Sequence, residues 1–370
     1  MSKKAYLSTM FSLMLKPAGS RCNLHCAYCY YIEKPAGERM SLPVLEKVIS
    51  EYTQACDGEE LNFIWHGGEP LLMGLDWFLA AVELERKYAG GRYIFNSIQT
   101  NGTLLNSAWA AFFRECNFLV GLSLDGPAGI HERFRLGSSG TFDKVMAGLR
   151  CLQDAGVQFN TLTTVNSASE GCATEIYSFL KKAGSRHMQF LPVVSEEKAG
   201  PWCISAEGYG RFMSDIFDVW VKEDVGRIFV QMFDAALSSW CGLSPGVCTM
   251  SRSCAGAIMV DSSGDLYPCD HLVTPKRRLG NVLQTPMSEI LAQSSLKDFW
   301  EMKFKTLPLQ CRDCEWKPAC FGGCPAHRDP VTGINRLCEG YRLFFEHAAP
   351  ALDRMQALLS AGRAPSEIVL

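Results

Sequence analysis

Phe11-Ser12-Leu13-Met14-Leu15 leads, after six intervening residues, into Cys22-Asn23-Leu24-His25-Cys26-Ala27-Tyr28-Cys29. A short apolar run bounded by a polar loop reads as a buried strand. The loop that follows it carries three cysteines at C-x3-C-x2-C. An iron–sulfur cube has four irons, and each takes a ligand. Three close thiolates therefore leave one iron open, where a small molecule can bind and react. A zinc knuckle would use the same residue types, so the rest of the chain has to decide.

Downstream, β-like runs alternate with helical patterns. Strands are predicted at residues 11–15, 61–65, 93–99, 118–123, 159–165 and 188–194, and helices at 42–55, 75–88, 107–115, 141–154 and 172–183. Ser41-Leu42-Pro43 offers a capping residue and an early proline at a helix start. Gly156 and Gly184 fall where a helix C-terminus favours glycine. Six successive strand–helix units imply a parallel sheet with right-handed crossovers, and in a partial or full barrel the active site lies at the carboxyl ends of the strands. The fold class read from the pattern is α/β, a partial TIM-type barrel of six such units.

The unusual residues sit at those ends. The cysteine loop follows the first strand, and His66-Gly67-Gly68-Glu69-Pro70 follows the second. The third ends in Gln99-Thr100-Asn101-Gly102, the fourth in Ser123-Leu124-Asp125-Gly126, the fifth near Thr164 and Asn166, and the sixth near Val194. Any one of these could be an ordinary turn. Together they read as the lining of one ligand site.

The 370-residue chain can bury a large core, and its 47% hydrophobic and 20% charged content is ordinary for a soluble protein. A net charge of −3 without long charged runs argues against nucleic acid or an anionic membrane as the main partner. No stretch is apolar enough to span a bilayer. Residues 1–10 contain Lys3 and Lys4 but no sustained apolar segment, so the expectation is a cytoplasmic protein. Seventeen cysteines would suit a small secreted disulfide scaffold, but this chain has neither the size nor the leader for one. Cys56, Cys116, Cys151, Cys172, Cys203 and Cys241 are scattered, and the other eleven are clustered.

From about residue 195 the pattern changes. Residues 208–221 and 229–240 read as amphipathic helices, more simply core packing than a cofactor site. Eight cysteines follow: Cys248, Cys254 and Cys269, then Cys311, Cys314, Cys320, Cys324 and Cys338. Eight is two sets of four, which fits two fully ligated cubes or two tetrahedral zinc sites. A hairpin is expected around Gly264, ahead of Cys269, and a last apolar helix over 341–359 with Trp316 and Phe321 packing the module. Asp270, beside Cys269, reads as a local cap or as a base next to an electron acceptor.

Taken together, the C-x3-C-x2-C loop with an aromatic before its last cysteine and the Gly67-Gly68-Glu69-Pro70 segment resemble the radical S-adenosylmethionine (SAM) enzymes. The eight later cysteines resemble the SPASM domain of peptide-modifying members of that group. Residues 16–31, 96–103, 120–127, 247–249 and 267–270 extend the similarity to the anaerobic sulfatase-maturating enzymes. The resemblance implies domains at 1–235 (radical SAM barrel) and 236–345 (SPASM), with a helix and tail at 346–370. It implies three [4Fe-4S] clusters, with S-adenosyl-L-methionine as cosubstrate. Cys22, Cys26 and Cys29 would hold the open cluster. Cys248, Cys254, Cys269 and Cys324 would hold one auxiliary cluster, and Cys311, Cys314, Cys320 and Cys338 the other. Tyr28, Gly68, Glu69, Ser123, Arg135 and Val194 would line SAM. Asp270 would be the catalytic base. Tyr31 would position Asp270 or the peptide, or simply pack. His66 stands where some members carry Gln, in a position that touches substrate.

The implied reaction converts a cysteine or serine, in an unfolded sulfatase segment of Cys/Ser-x-Pro-x-Arg type, to Cα-formylglycine. The implied partners are that polypeptide and a flavodoxin- or ferredoxin-type reductant, with the enzyme a monomer. A rival keeps the fold but forms thioether or carbon–carbon crosslinks in a ribosomal peptide; Asp270 directly after the third platform cysteine favours the maturase. A non-catalytic electron carrier or zinc-binding interaction protein would leave the double-glycine segment without a role.

Overall fold

The computed structural model describes residues 11–32, 37–137, 140–194 and 200–369. The expectation about residues 1–10 lies outside them, as does 195–199, where the pattern was expected to change. In chain order the strands are β1 Ser12–Leu15, β2 His25–Cys26, β3 Glu60–Trp65, β4 Tyr93–Thr100, β5 Leu119–Ser123, β6 Arg135–Leu136, β7 Phe159–Val165, β8 His187–Pro192, β9 Phe229–Val230, β10 Ala257–Val260, β11 Asp265–Tyr267 and β12 Gly280–Asn281. The helices are α1 Leu42–Ala55, α2 Leu75–Tyr88, α3 Ser107–Glu115, α4 Ala128–Phe134, α5 Thr141–Asp154, α6 Ala173–Lys182, α7 Ala206–Glu223, α8 Gln231–Trp240, α9 Met287–Leu291, α10 Ser294–Lys305, α11 Leu309–Arg312, α12 Lys317–Cys320 and α13 Cys338–Ser360.

The elements gather into two compact units, neither continuous in sequence. Of the described residues, the first holds those within 11–122, 135–159 and 255–300, and the second those within 123–134, 160–254 and 301–369. In the first, the strands run in the order β12-β11-β10-β1-β3-β4-β5. The pairs β1–β3, β3–β4 and β4–β5 are parallel, as alternation with helices requires. Along β3 every second residue is buried, so Leu61, Phe63 and Trp65 point one way, and Phe63 and Trp65 join an aromatic cluster with Tyr52 and Phe78. Full burial of each such side chain stabilises by about 1.5–3 kcal/mol. The Tyr52 hydroxyl donates to the Phe11 carbonyl at 2.8 Å, which ties α1 to the chain just before β1. Ser41 occupies the N-cap of α1, but its side chain makes no capping bond; Pro43 supplies the start signal instead.

One connection was not expected. Residues 255–300 return to the first unit, where β10 pairs in parallel with β1, Ser12 opposite Ala257 and Leu15 opposite Val260. The β10–β11 hairpin, antiparallel with Val260 opposite Leu266, is the expected turn around Gly264. Asp261 closes it by accepting from the Ser263 and Asp265 amides. This hairpin leads directly to Cys269 and Asp270.

In the second unit β7, β8 and β9 are parallel. The expected helices 208–221 and 341–359 are the inner parts of α7 and α13, and Phe217, Phe233 and Phe344 pack between them and α8. Trp240, Trp316 and Phe345 stack beside this core.

Candidate functional site

β1 ends at Leu15, and the next residue, Lys16, is fully buried. From there the backbone folds tightly, with the Gly19 amide donating to the Lys16 carbonyl at 3.0 Å and the Arg21 amide to that of Ala18 at 3.2 Å. The segment after β3 docks on this turn. Gly68 donates to the Gly19 carbonyl and Glu69 to that of Arg21, both at 2.8 Å. A Cβ on Gly68 would lie 1.9 Å from the Arg21 carbonyl oxygen. Only glycine lets two backbones meet this closely, so the double glycine fixes where the cysteine loop begins.

Glu69 is fully buried. Its carboxylate accepts from the Leu71 amide (3.0 Å), the Thr100 hydroxyl (2.8 Å) and the Asn101 amide (2.8 Å). Burial pushes its pKa up to about 7 against the lowering effect of those donors. A buried carboxylate whose ionisation is opposed by desolvation is a fitting partner for an ammonium group, which would restore the charged form. Asn101 reaches the other way, its amide nitrogen 2.9 Å from Asn23 Oδ1 and 3.6 Å from Cys22 Sγ. Glu69, the end of β4 and the cysteine loop thus form one connected network.

Cys26 lies in β2, opposite Arg135 of β6 in a short antiparallel pair. Arg135 is buried, with its guanidinium 5.7 Å from the centre of the Tyr28 ring. This places two of the residues expected to line SAM beside the cysteine loop. Burial raises the Cys22 thiol pKa despite the Leu24 amide at its sulfur. A metal that replaces the proton relieves that cost. The other two residues expected to line SAM belong to the second unit, Ser123 as the last residue of β5 and Val194 just beyond β8.

Asp270 is the centre of a second constellation, wholly within the first unit. Its Oδ2 accepts from Lys16 Nζ at 3.3 Å and from the Tyr30 hydroxyl at 2.6 Å. Burial opposes ionisation of Asp270, but Lys16, His271, His66 and the Tyr30 bond outweigh it and hold the carboxyl well below the usual carboxylate range. Lys16 has its own pKa lowered by burial, with Asp270 pulling it back up. Its ammonium lies 3.8 Å from the centre of the Tyr31 ring, a cation–π contact. Tyr30 stacks on His271 with centroids 4.7 Å apart. His66 Nδ1 accepts from the Gly67 amide at 2.7 Å, and burial, then Lys16, lower its pKa to about 4, so the ring is neutral near pH 7.

Tyr30, not Tyr31, hydrogen-bonds Asp270, and Tyr31 is buried beneath Lys16. Neither Lys16 nor Tyr30 stood out as a site residue in the sequence. The available signal was position: Lys16 is the first residue past a strand whose end should face the site, and Tyr30 follows Cys29.

In the second unit, Cys311, Cys314, Cys320 and Cys338 line one small cavity, with Trp316, Asn335, Tyr341 and Phe345 around them. Cys311 lies in α11, Cys320 ends α12 and Cys338 begins α13, so three helices and the turn that carries Cys314 bring four cysteines around the same space. Burial pushes the Cys338 thiol up to about 11, with the neighbouring thiols adding to the shift. Among the described residues no three His, Cys, Asp or Glu side chains close on a single ion. Four thiols around a cavity are a donor set that fits a cube, whose sulfur ligands stand further apart than those of one tetrahedral zinc.

A family model described as the radical SAM superfamily matches residues 17–180, and one described as an iron–sulfur cluster-binding domain (SPASM) matches 248–315. A serine-type anaerobic sulfatase-maturating enzyme of Bacteroides thetaiotaomicron is 40% identical across 96% of this chain and 94% of its own length. The chain belongs to the anaerobic sulfatase-maturating enzymes. A cysteine-type relative from Clostridium perfringens is 34% identical over 92% of this chain and 97% of its own. A solved structure of native anSMEcpe with bound AdoMet and Cp18Cys peptide superposes with a TM-score of 0.87 at 33% identity, covering 94% of this chain and 99% of that one. The chain is therefore a radical SAM enzyme of sulfatase maturation, with an α/β partial-barrel fold and a SPASM domain. Its cofactor class is iron–sulfur with SAM. Among the described residues no helix is long and apolar enough to cross a membrane.

Proposed function

We propose that this chain oxidises Cβ of a cysteine or serine, in an unfolded sulfatase segment of Cys/Ser-x-Pro-x-Arg type, to Cα-formylglycine. The observation that carries this reading is the Lys16–Asp270–Tyr30 arrangement, an ionised carboxylate fixed on one oxygen by a buried ammonium and a tyrosine hydroxyl. The proposed ligands are Cys22, Cys26 and Cys29 for the open cluster, Cys248, Cys254, Cys269 and Cys324 for one auxiliary cluster, and Cys311, Cys314, Cys320 and Cys338 for the other. Tyr28, Gly68, Glu69, Ser123, Arg135 and Val194 hold SAM, Glu69 at its ammonium and Arg135 at its carboxylate.

When bound, these groups supply a 5′-deoxyadenosyl radical that takes one hydrogen atom from Cβ, and an oxidant that takes one electron. The remaining proton, from the serine hydroxyl or cysteine thiol, goes to Asp270. Lys16 and Tyr30 both hold Oδ2, which leaves Oδ1 to face the substrate. Proton loss is coupled to electron loss, so a base of low pKa suffices. Its ionised state is secured across neutral pH. Serine gives the aldehyde directly; cysteine gives a thioaldehyde, which water converts to the aldehyde and H2S. Neutral His66 lines the same region as an uncharged donor or acceptor toward the substrate side chain. The substrate arrives as an unfolded polypeptide, electrons come from a flavodoxin- or ferredoxin-type protein, and the enzyme works as a cytoplasmic monomer.

Asp270→Asn tests the assignment. With a cysteine- or serine-type sulfatase peptide, the variant should still release 5′-deoxyadenosine while formylglycine falls at least about a hundredfold, the lower range of a general base's contribution. Undiminished product removes Asp270 as the base.

A further inference from the structure

Lys303, in α10, is a lysine with no exposed surface and belongs to the second unit. Its ammonium donates to the backbone carbonyls of Cys248 (2.7 Å) and Thr249 (2.8 Å). Two carbonyls are neutral partners, and burying a charge on them alone is costly. Its carbonyl partner belongs to Cys248 itself, and although burial lowers the Lys303 pKa to about 8, the thiols of Cys248, Cys254, Cys320 and Cys324 pull it back toward the cation. These four sulfurs come from both proposed auxiliary ligand sets. Arg328 braces the same region. Its guanidinium donates to the carbonyls of Lys303 and Phe321 at 3.1 Å and of Gly322 at 3.2 Å, which pins the Cys320 turn to α10.

We propose that Lys303 is a positioning residue that sets the reduction potentials of the auxiliary clusters, as a buried counter-cation shared by the two ligand sets. The inference rests on the auxiliary-cluster reading given above. A cluster ligated by four thiolates is anionic and becomes more so on reduction. A fixed, buried positive charge therefore stabilises the reduced form more than the oxidised one and raises the potential. A higher potential is what an acceptor of the substrate electron needs. The Cys248 carbonyl bond gives the charge a fixed place relative to one ligand loop, and Arg328 fixes the other.

The test is a redox titration of anaerobically reconstituted full-length protein, followed by electron paramagnetic resonance, for the parent, Lys303→Gln and Lys303→Arg, with iron and sulfide measured on each. The glutamine amide still donates to the carbonyls but carries no charge; arginine keeps the charge. With three cubes, parent and variants carry about twelve irons per chain. The expected result is that Lys303→Gln keeps its iron but loses about tenfold in the equilibrium constant for one-electron reduction of an auxiliary cluster, a downward shift of about 59 mV. Lys303→Arg stays at the parental potential. Equal potentials in the parent and Lys303→Gln, at full iron, overturn the role of Lys303 and leave the auxiliary clusters standing. A parent that takes up zinc, or iron for one cube only, overturns the auxiliary-cluster reading itself. Should Lys303→Gln lose iron, Lys303→Arg decides: recovery of both iron and potential supports the charge role, and the same loss in both variants overturns it.

Discussion

Replacing Lys16 with Met removes the buried ammonium beneath Asp270 and keeps most of the side-chain volume. The charges are 3.3 Å apart, and Lys16 is fully buried while Asp270 is 15% exposed. At an effective dielectric of about 20 their attraction is about 5 kcal/mol, equivalent to roughly three to four pKa units on Asp270. His271 and the Tyr30 hydroxyl remain and hold part of the depression, so an upward shift of about two to three units is expected. The parent carboxylate is ionised throughout the neutral range. In Lys16→Met the carboxyl returns only toward the ordinary carboxylate range, so it stays ionised at neutral pH and begins to protonate as pH falls below about 5. The assay counts 5′-deoxyadenosine and formylglycine from one peptide between about pH 4 and pH 8. Parent coupling between the two products should be nearly flat. In the variant it should fall on the acid side and recover on the alkaline side, with SAM cleavage little changed. Lys16→Met coupling that stays as flat and as high as the parent's refutes the electrostatic account of Asp270.

Two further outcomes follow from buried groups near the site. Gly68→Ala drives a Cβ to 1.9 Å from the Arg21 carbonyl and breaks the contact that seats the cysteine loop; reconstituted protein should lose about a third of its iron, one cube of three, together with SAM cleavage. Full iron and normal cleavage in that variant would mean the double glycine has no part in placing the loop. Glu85, buried behind β4 and bonded to Asn96, has its pKa pushed up to about 8 by burial. Its folded pKa lies above the unfolded value, so its contribution is full below about pH 4.5 and is lost as pH rises toward 8. Glu85→Gln should therefore gain about 2–3 kcal/mol on the parent between about pH 6 and pH 9 in anaerobic urea unfolding. A constant difference across that range contradicts a neutral Glu85.

Much of this architecture was legible because it is written in local signals. The alternation in 61–65 and the helical pattern of 42–55 depend on neighbours in sequence, and β3 and α1 form there. Cysteine spacing is equally local and marks the eight platform residues, but the set of Cys311, Cys314, Cys320 and Cys338, which the structure gathers around one cavity, was implied by the resemblance to the SPASM domain and not by the spacing. What escaped the sequence depends on distant parts of the chain. That β10 returns to lie beside β1 is a matter of pairing partner, which no window around 257–260 contains. The β2–β6 pair, which sets Arg135 opposite Cys26, is two residues long and too short to leave a pattern. Lys16 and Lys303 look like solvated charges, because a lysine's burial is decided by what folds over it. Tyr30 and Tyr31 are adjacent and chemically alike; only the backbone direction after Cys29 sends one hydroxyl to Asp270 and the other ring under Lys16.

The central claim is tested most directly by incubating anaerobically reconstituted full-length enzyme with SAM, a reductant and synthetic sulfatase peptides of cysteine and serine type, and reading the peptide mass. The account predicts loss of two hydrogens from the serine peptide, or exchange of H2S for water after oxidation of the cysteine peptide, with an aldehyde that reacts with hydrazine and about one 5′-deoxyadenosine per product. A crosslinked peptide without aldehyde, or SAM cleavage with neither peptide altered, would contradict it.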